Sequence, residues 1–310
     1  MRIAIVGAGA LGLYYGALLQ RSGEDVHFLL RRDYDAITNN GLRIFSIDGD
    51  FTLPHVHGYR APAEIGPVDL VLVGLKTFAN DCYPGLIGPL VGDCTQILTL
   101  QNGLGNEEAL AELFGEERII GGVAFLCSNR GEPGEVHHLG AGRIVLGEYH
   151  CCDRGRIDRL VAMFIKAGVD CRATDDLKRS RWEKLVWNIP FNGLCALLQQ
   201  PVNMLLAQDA CRKLVREIML EVIASANAQG LDRPIAAGYA DSMLEFTDNM
   251  GEYKPSMLID REEGRQLEIA AILGAPLAYG RRQGVGMPRV EMLATLLEQA
   301  TLKQGEPATI

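Results

Sequence analysis

Lys184, Asn188 and Asn192 are polar residues in one of the most apolar parts of this chain. From Leu185 to Leu198 almost every position is apolar, and the two asparagines are the only carboxamides in the run. A helix brings residues i, i+4 and i+8 to one face, so the three form a single polar stripe. A buried amide without a partner costs on the order of 1–3 kcal/mol, so each asparagine must meet either protein groups or a bound polar ligand. Pro190, between them, removes one internal amide and is expected to kink the helix and free the carbonyl of Val186. Local residue types leave two readings open. The asparagines bond neighbouring backbone while Lys184 reaches water, or the stripe holds a ligand.

A later segment tilts this toward a ligand: Tyr253-Lys-Pro-Ser-Met-Leu-Ile-Asp-Arg-Glu-Glu-Gly-Arg-Gln-Leu-Glu268. Gly264 stands one turn before Glu268, and a glycine inside a helix costs roughly 1 kcal/mol relative to alanine, which suggests a close approach on that face. Taken singly, Ser256 reads as an N-cap and Glu268 as a solvated carboxylate.

A second chemistry sits at the start of the chain. Gly7-Ala8-Gly9-Ala10-Leu11-Gly12 directly follows the strand-like Ile3–Val6 and opens a helical segment, Ala10–Gln20. In that context the amides of a helix start can face a diphosphate, and the glycines permit the turn and the close approach. The alternative is a tight βα turn with no ligand. NAD-binding folds place an acidic residue near the end of the second strand, where this chain has Arg31-Arg32. A guanidinium grips a 2′-phosphate that a carboxylate would repel, so NADP(H) is favoured, although Asp33 keeps NAD open. Lys76 and Asn102 close two further strand-like runs, Val71–Lys76 and Leu98–Gly103. At the carboxyl ends of parallel strands they are expected to face cofactor or substrate; the alternative is a turn lysine and an Asn-Gly turn.

These residues need a scaffold, and the chain alternates strand and helix signals up to about Asp170. Arg2–Val6, Asp25–Leu29, Asp69–Val73, Gln96–Leu100 and Ile119–Val123 read as buried strands of a parallel sheet covered on both faces. Leu42–Leu53 and Gly134–Leu146 read as antiparallel additions at the sheet edge. From Asp175 onward apolar residues repeat at helical spacing, as in Leu214, Val215, Ile218, Met219, Val222 and Ile223. The expected fold is therefore α/β: a Rossmann-type, doubly wound parallel sheet over residues 1–173, holding NADP, and an all-helical substrate and catalytic domain over 174–310.

The totals agree with that division, since 310 residues exceed what one ordinary core needs. A formal charge of −9 argues against nucleic acid or an anionic membrane as partner, because those surfaces are held by clustered Lys and Arg. The eight cysteines are scattered without a metal-type CxxC pair, and they read as reduced cytoplasmic thiols with no metal site. Four glycines in the first 16 residues argue against a signal peptide or a membrane span there. A homodimer is left open.

Taken together, the motifs resemble the ketopantoate reductase family (2-dehydropantoate 2-reductases), a branch of the two-domain 6-phosphogluconate-dehydrogenase-like enzymes. The resemblance covers nearly the whole chain and runs through GAGALG, LLRR, GLK, QNGLG, W-x-K-L-x-x-N-x-x-x-N at Trp182–Asn192, and S-M-L-x-D…G-R-x-x-E at Ser256–Glu268. It implies Lys184 as general acid, with Asn188, Asn192 and Ser256 holding a 2-oxo acid. It further implies Arg31 on the 2′-phosphate, Lys76 and Asn102 on the cofactor near the reacting centre, and Glu268 on the nicotinamide ribose or on Lys184. Hydride addition to a ketone develops an alkoxide, which an ammonium can both stabilise and protonate. The chain departs from the family pattern at Tyr253, at Leu267-Glu-Ile-Ala270 and at Leu273-Gly274.

Three functions follow as expectations. The first is NADPH-dependent reduction of 2-dehydropantoate to (R)-pantoate in pantothenate biosynthesis. The second, motivated by those departures, is reduction of a different branched or aromatic 2-oxo acid. The third is a non-catalytic NADPH-responsive binding protein, against which the presence of both Lys184 and Glu268 argues.

Overall fold

The computed structural model describes residues 1–150 and 153–302. The chain divides into two compact units: Met1–Gln101 with Asn106–Leu177, and Asn102–Gly105 with the residues from Lys178 onward.

The first unit is a ten-stranded sheet: β1 (Arg2–Val6), β2 (Asp25–Leu29), β3 (Leu42–Ser46), β4 (Phe51–Leu53), β5 (His57–Tyr59), β6 (Leu70–Val73), β7 (Gln96–Thr99), β8 (Ile119–Arg130), β9 (Glu135–Glu148) and β10 (Cys171–Ala173). The strands lie in the order β4-β3-β9-β8-β7-β6-β1-β2-β5, with β10 beside β9. From β8 to β5 every pairing is parallel. Numbered along the chain, these six strands follow the 3-2-1-4-5-6 arrangement of a dinucleotide-binding sheet. Apolar side chains on both faces make the central strands continuous runs such as Leu70-Val-Leu-Val73, which are buried throughout.

Helices α1 (Ala10–Arg21), α2 (Tyr34–Asn40) and α6 (Arg154–Lys166) contribute Leu13, Ile37 and Phe164 to the core on one face. Helices α3 (Pro62–Ile65), α4 (Tyr83–Ile87) and α5 (Asn106–Phe114) contribute Ile65, Tyr83 and Leu110 to the other.

The additions beyond the parallel core differ in detail from the sequence expectation. β3 and β4 form an antiparallel hairpin at one edge, but β9 lies inside the sheet, antiparallel to β8 and parallel to β3. β8 also runs on to Arg130, well past Val123, because its second half is held by pairing to β9, a partner that no local pattern announces.

The second unit is helical: α7 (Leu177–Leu198), α8 (Val202–Leu206), α9 (Asp209–Asn227), α10 (Gly238–Asp248), α11 (Ser256–Glu262), α12 (Ala275–Arg282) and α13 (Pro288–Thr301). Trp182, Leu185, Val186, Ile189 and Phe191 of α7 join Val215, Ile218, Val222, Leu293 and Leu297 in one core. At Gly193 a Cβ would stand under 3.0 Å from the Leu293 side chain, so this glycine lets α7 and α13 approach closely. A five-residue π-turn, Ala270–Gly274, precedes α12. No described helix is long and apolar enough to cross a membrane.

Candidate active site

The glycine turn lies where β1 ends, beside the end of β6, the point at which successive connections leave the sheet in opposite directions. Gly7 has φ +99°, and a Cβ there would collide with the backbone of Gly74 and Leu75. A Cβ on Gly12 would meet the Gly7 carbonyl, so these two glycines let backbone pack on backbone. Gly9 is different, because a Cβ there would meet nothing within 4 Å. It is the N-cap of α1 and has no side-chain cap, so the first amides of Ala10, Leu11 and Gly12 open the helix toward unfilled space.

Arg31 and Arg32 follow β2 and are exposed. Asp33, the residue that kept NAD open, is buried and ion-paired with both Arg32 and Arg130. Its carboxylate is engaged by protein cations, and nothing in the local sequence pointed to Arg130 as its partner. Lys76 follows β6, half-buried, and its carbonyl accepts a hydrogen bond from the Ala79 N–H at 2.9 Å.

In the helical unit, α7 continues on both sides of Pro190 and carries the polar stripe. Its three members have three different fates. The Lys184 Nζ donates to the Asn102 Oδ1 at 2.5 Å. The Asn192 Oδ1 accepts from the Met257 N–H at 3.0 Å and the Ser256 hydroxyl at 3.3 Å. It thereby caps α11, whose own N-cap position is Pro255 and has no side chain able to do so. Asn188 is 6% exposed, and its side chain makes no hydrogen bond to another described residue.

Of the stripe residues, then, Asn192 follows the structural reading and also brings Ser256 to it, whereas Asn188 is a buried carboxamide with unused capacity. Cys195, one turn beyond Pro190, is inert, because burial pushes its thiol up to about 12.

Glu268 is buried and stands two residues before the π-turn, with its carbonyl accepting from the Ile272 N–H at 3.1 Å. Gly264 does not lie inside a helix. It follows the end of α11 with φ +66°, and a Cβ would meet nothing within 4 Å, so its role is to reverse the chain rather than to admit a neighbour. The Arg265 N–H then bonds the Asp260 carbonyl at 2.7 Å, and its guanidinium pairs with the buried Asp260 carboxylate at 2.8 Å, which sets the direction of the segment leading to Glu268.

One group of side chains in the first unit has metal-ligand chemistry: Asp25, His27 and His57. The His27 Nε2 lies 3.2 Å from the Arg2 Nε and 3.1 Å from the Asp25 Oδ1, so it is already engaged within the protein. Six described cysteines are free of disulfides, and Cys151 and Cys152 lie outside the described residues.

Comparison with known proteins covers both units. The family profile described as "Ketopantoate reductase PanE/ApbA" matches residues 3–150, and that described as "Ketopantoate reductase PanE/ApbA C terminal" matches residues 176–301. A 2-dehydropantoate 2-reductase from Nostoc sp. is 44% identical over 94% of this chain and 92% of its own length. The crystal structure of 2-dehydropantoate 2-reductase from Geobacter metallireducens superposes with a TM-score of 0.96 at 81% identity, covering 97% of this chain and 100% of that one. A D-mandelate dehydrogenase, solved with NADH and anilino(oxo)acetate, shares the fold with a TM-score of 0.87 at 24% identity, over 97% of this chain and 98% of its own.

Proposed function

The chain belongs to the ketopantoate reductase family of oxidoreductases, and from that membership we propose that it reduces 2-dehydropantoate to (R)-pantoate with NADPH, a step of pantothenate biosynthesis. The observation that carries the reading is on α7: an ammonium bonded to Asn102, and one turn along the same face Asn188, a buried residue whose carboxamide has no hydrogen-bond partner among the described residues.

The residues of the first unit fit a dinucleotide. The space over Gly9 and the uncapped start of α1 suit a diphosphate, which the amides from Gly7 to Gly12 would hold. With the Asp33 carboxylate taken up by Arg130, the exposed Arg31 is the side chain after β2 suited to a 2′-phosphate, which favours NADP(H) over NAD(H). Lys76 is assigned to the cofactor near the reacting centre. When bound, the reduced nicotinamide supplies the hydride.

The helical unit is assigned the acid-base and substrate roles. The ketone carbon that accepts a hydride leaves negative charge on its oxygen, and Lys184 donates the proton that neutralises it. The Asn102 side-chain Oδ1 holds the ammonium, so that the charge is aimed before reaction. Asn188 donates its amide to the 2-oxo acid. The Ser256 hydroxyl, which donates to Asn192, would turn its proton to the same acid when that is bound. Glu268 is assigned to the nicotinamide ribose or to Lys184.

A second substrate reading is favoured by Tyr253, whose ring packs against Trp187 at 6.1 Å between centroids. That places an aromatic pair in the unit that carries Asn188 and suits a bulkier acid. NADPH oxidation across a panel of 2-oxo acids separates the two. We expect 2-dehydropantoate to have the highest kcat/KM, and a much higher value for an aromatic or simple branched acid would overturn the substrate assignment.

A further inference from the structure

Four residues, Asn102–Gly105, follow β7 in sequence but group with the helical unit, and the site depends on how they are seated there. Asn102 supplies the acceptor for Lys184. Its neighbour Gly103 is buried, has φ +82°, and a Cβ there would stand under 3.0 Å from the carbonyl oxygen, carbonyl carbon and Cβ of Ala271. Leu104 then donates its N–H to the Ala271 carbonyl at 3.2 Å.

That carbonyl is available for a definite reason. In an α-helix it would accept from the N–H of residue 275, but the Ala275 N–H bonds Ala270 instead, closing the π-turn. The partner one position farther on would be Pro276, which has no N–H. The π-turn and the proline together leave the Ala271 carbonyl without an intrahelical donor. A buried carbonyl needs one, and Leu104 provides it. The same turn begins two residues after Glu268 and holds the Glu268 carbonyl through Ile272.

We infer that Gly103 and Pro276 are positioning residues: Pro276 keeps the Ala271 main-chain carbonyl free, Gly103 lets the backbone close onto it, and that seat holds the Asn102 side-chain Oδ1 against the Lys184 ammonium. The inference rests on the reading of Lys184 as the acid. Nothing about Gly103 requires contact with substrate; it acts through Asn102.

The test compares Gly103→Ala, Asn102→Ala, their combination, Pro276→Ala and, as a control for left-handed strain alone, Gly284→Ala. Gly284 has φ +70° with nothing within 4 Å of a Cβ. Gly103→Ala should lower kcat by about 10- to 100-fold, the scale of a misplacement near 1 Å. Coenzyme affinity should stay within about threefold, since a shift of that size is under 1 kcal/mol. The combined variant should be no slower than Asn102→Ala alone, because two changes that break the same contact do not add. Pro276→Ala restores a competing N–H and should lower kcat in the same direction by less, while Gly284→Ala should lower Tm and leave kcat unchanged.

A second readout does not depend on turnover: the pH dependence of Lys184 modification by an amine reagent, followed by peptide mass. A hydrogen bond to the charged form favours it, so losing the Asn102 acceptor should move the profile to lower pH in Gly103→Ala and Asn102→Ala alike. Full kcat in Gly103→Ala, additive losses in the combined variant, or a Lys184 profile unmoved in Gly103→Ala but moved in Asn102→Ala would each overturn the inference. Should the wild-type enzyme turn over none of the 2-oxo acids, the proposed function fails, and the modification profile still decides the inference. If Gly103→Ala does not fold, the kcat and profile of Pro276→Ala decide it, and wild-type values there would overturn it.

Discussion

The glycine turn before α1 and the polar stripe on α7 handle polar groups in opposite ways. At the turn the backbone does the work. Gly7 and Gly12 exist so that main chain can touch main chain, and Gly9 leaves space where a side chain would be. On α7 the polar groups are side chains, and they differ: Lys184 donates to Asn102, Asn192 accepts from the start of α11, and Asn188 has no hydrogen-bond partner among the described residues. A site built of main chain tolerates changes of neighbouring side chains but not an added carbon. A site built of side chains tolerates small shifts of backbone but not a change of residue type.

The sharpest way to break that contrast is Lys184→Ala. It should lower kcat by about 10²–10⁴-fold, the usual contribution of a positioned general acid, and leave coenzyme affinity near wild type. Wild-type turnover in that variant would remove the side-chain half of the comparison.

At the turn, Gly9→Ala and Gly7→Ala should part company. The first adds a methyl to open space in a backbone conformation open to alanine (φ −83°, ψ −165°), so the Tm of the ligand-free protein should hold. Coenzyme Kd should rise about tenfold or more, equivalent to some 1.4 kcal/mol. The second should lower Tm as well, since a side chain in a left-handed backbone costs on the order of 1–2 kcal/mol before any collision is counted. Equal Tm losses would mean that Gly9 serves the fold rather than a ligand.

Arg31→Ala asks how far the main-chain site relies on a side chain. Removing a charge-assisted contact of about 1.5–3 kcal/mol should raise KM for NADPH roughly tenfold or more and leave KM for NADH unchanged. Parallel changes for both coenzymes would take the 2′-phosphate away from Arg31.

The smallest effects separate the two asparagines. Asn192→Ala should lower stability by about 1 kcal/mol, the cost of a lost helix cap, visible as a lower Tm. Asn188→Ala should spare Tm and raise KM for the 2-oxo acid by about three- to tenfold, the equivalent of one neutral hydrogen bond. Exchanged outcomes would reverse the roles assigned to them.

How much of this was legible beforehand follows the range of the interactions. The strands β1, β2, β6 and β7 and the helix after Gly9 could be read to within a residue, because burial on both faces writes continuous apolar runs and a βα turn writes its glycines locally. The stripe could be read as a pattern, but not which asparagine would be spent on the protein. That depended on the distant start of α11, where Pro255 cannot cap its own helix. Gly264 was misread for a related reason, since whether a glycine lies within a helix or ends one depends on where the helix stops.

By itself, the order of residues determined the glycine turn before α1, the parallel sheet and the spacing of Lys184, Asn188 and Asn192, all of which arise from contacts between near neighbours in the chain or from simple periodicity. Only the tertiary structure decided that Asp33 pairs with Arg130, that Asn188 has no hydrogen-bond partner among the described residues, and that the Ala271 carbonyl seats the Asn102 loop. The two pairings, Asp33 with Arg130 and Leu104 with Ala271, join residues 97 and 167 positions apart, and partners at such separations are chosen by packing, which no local propensity encodes.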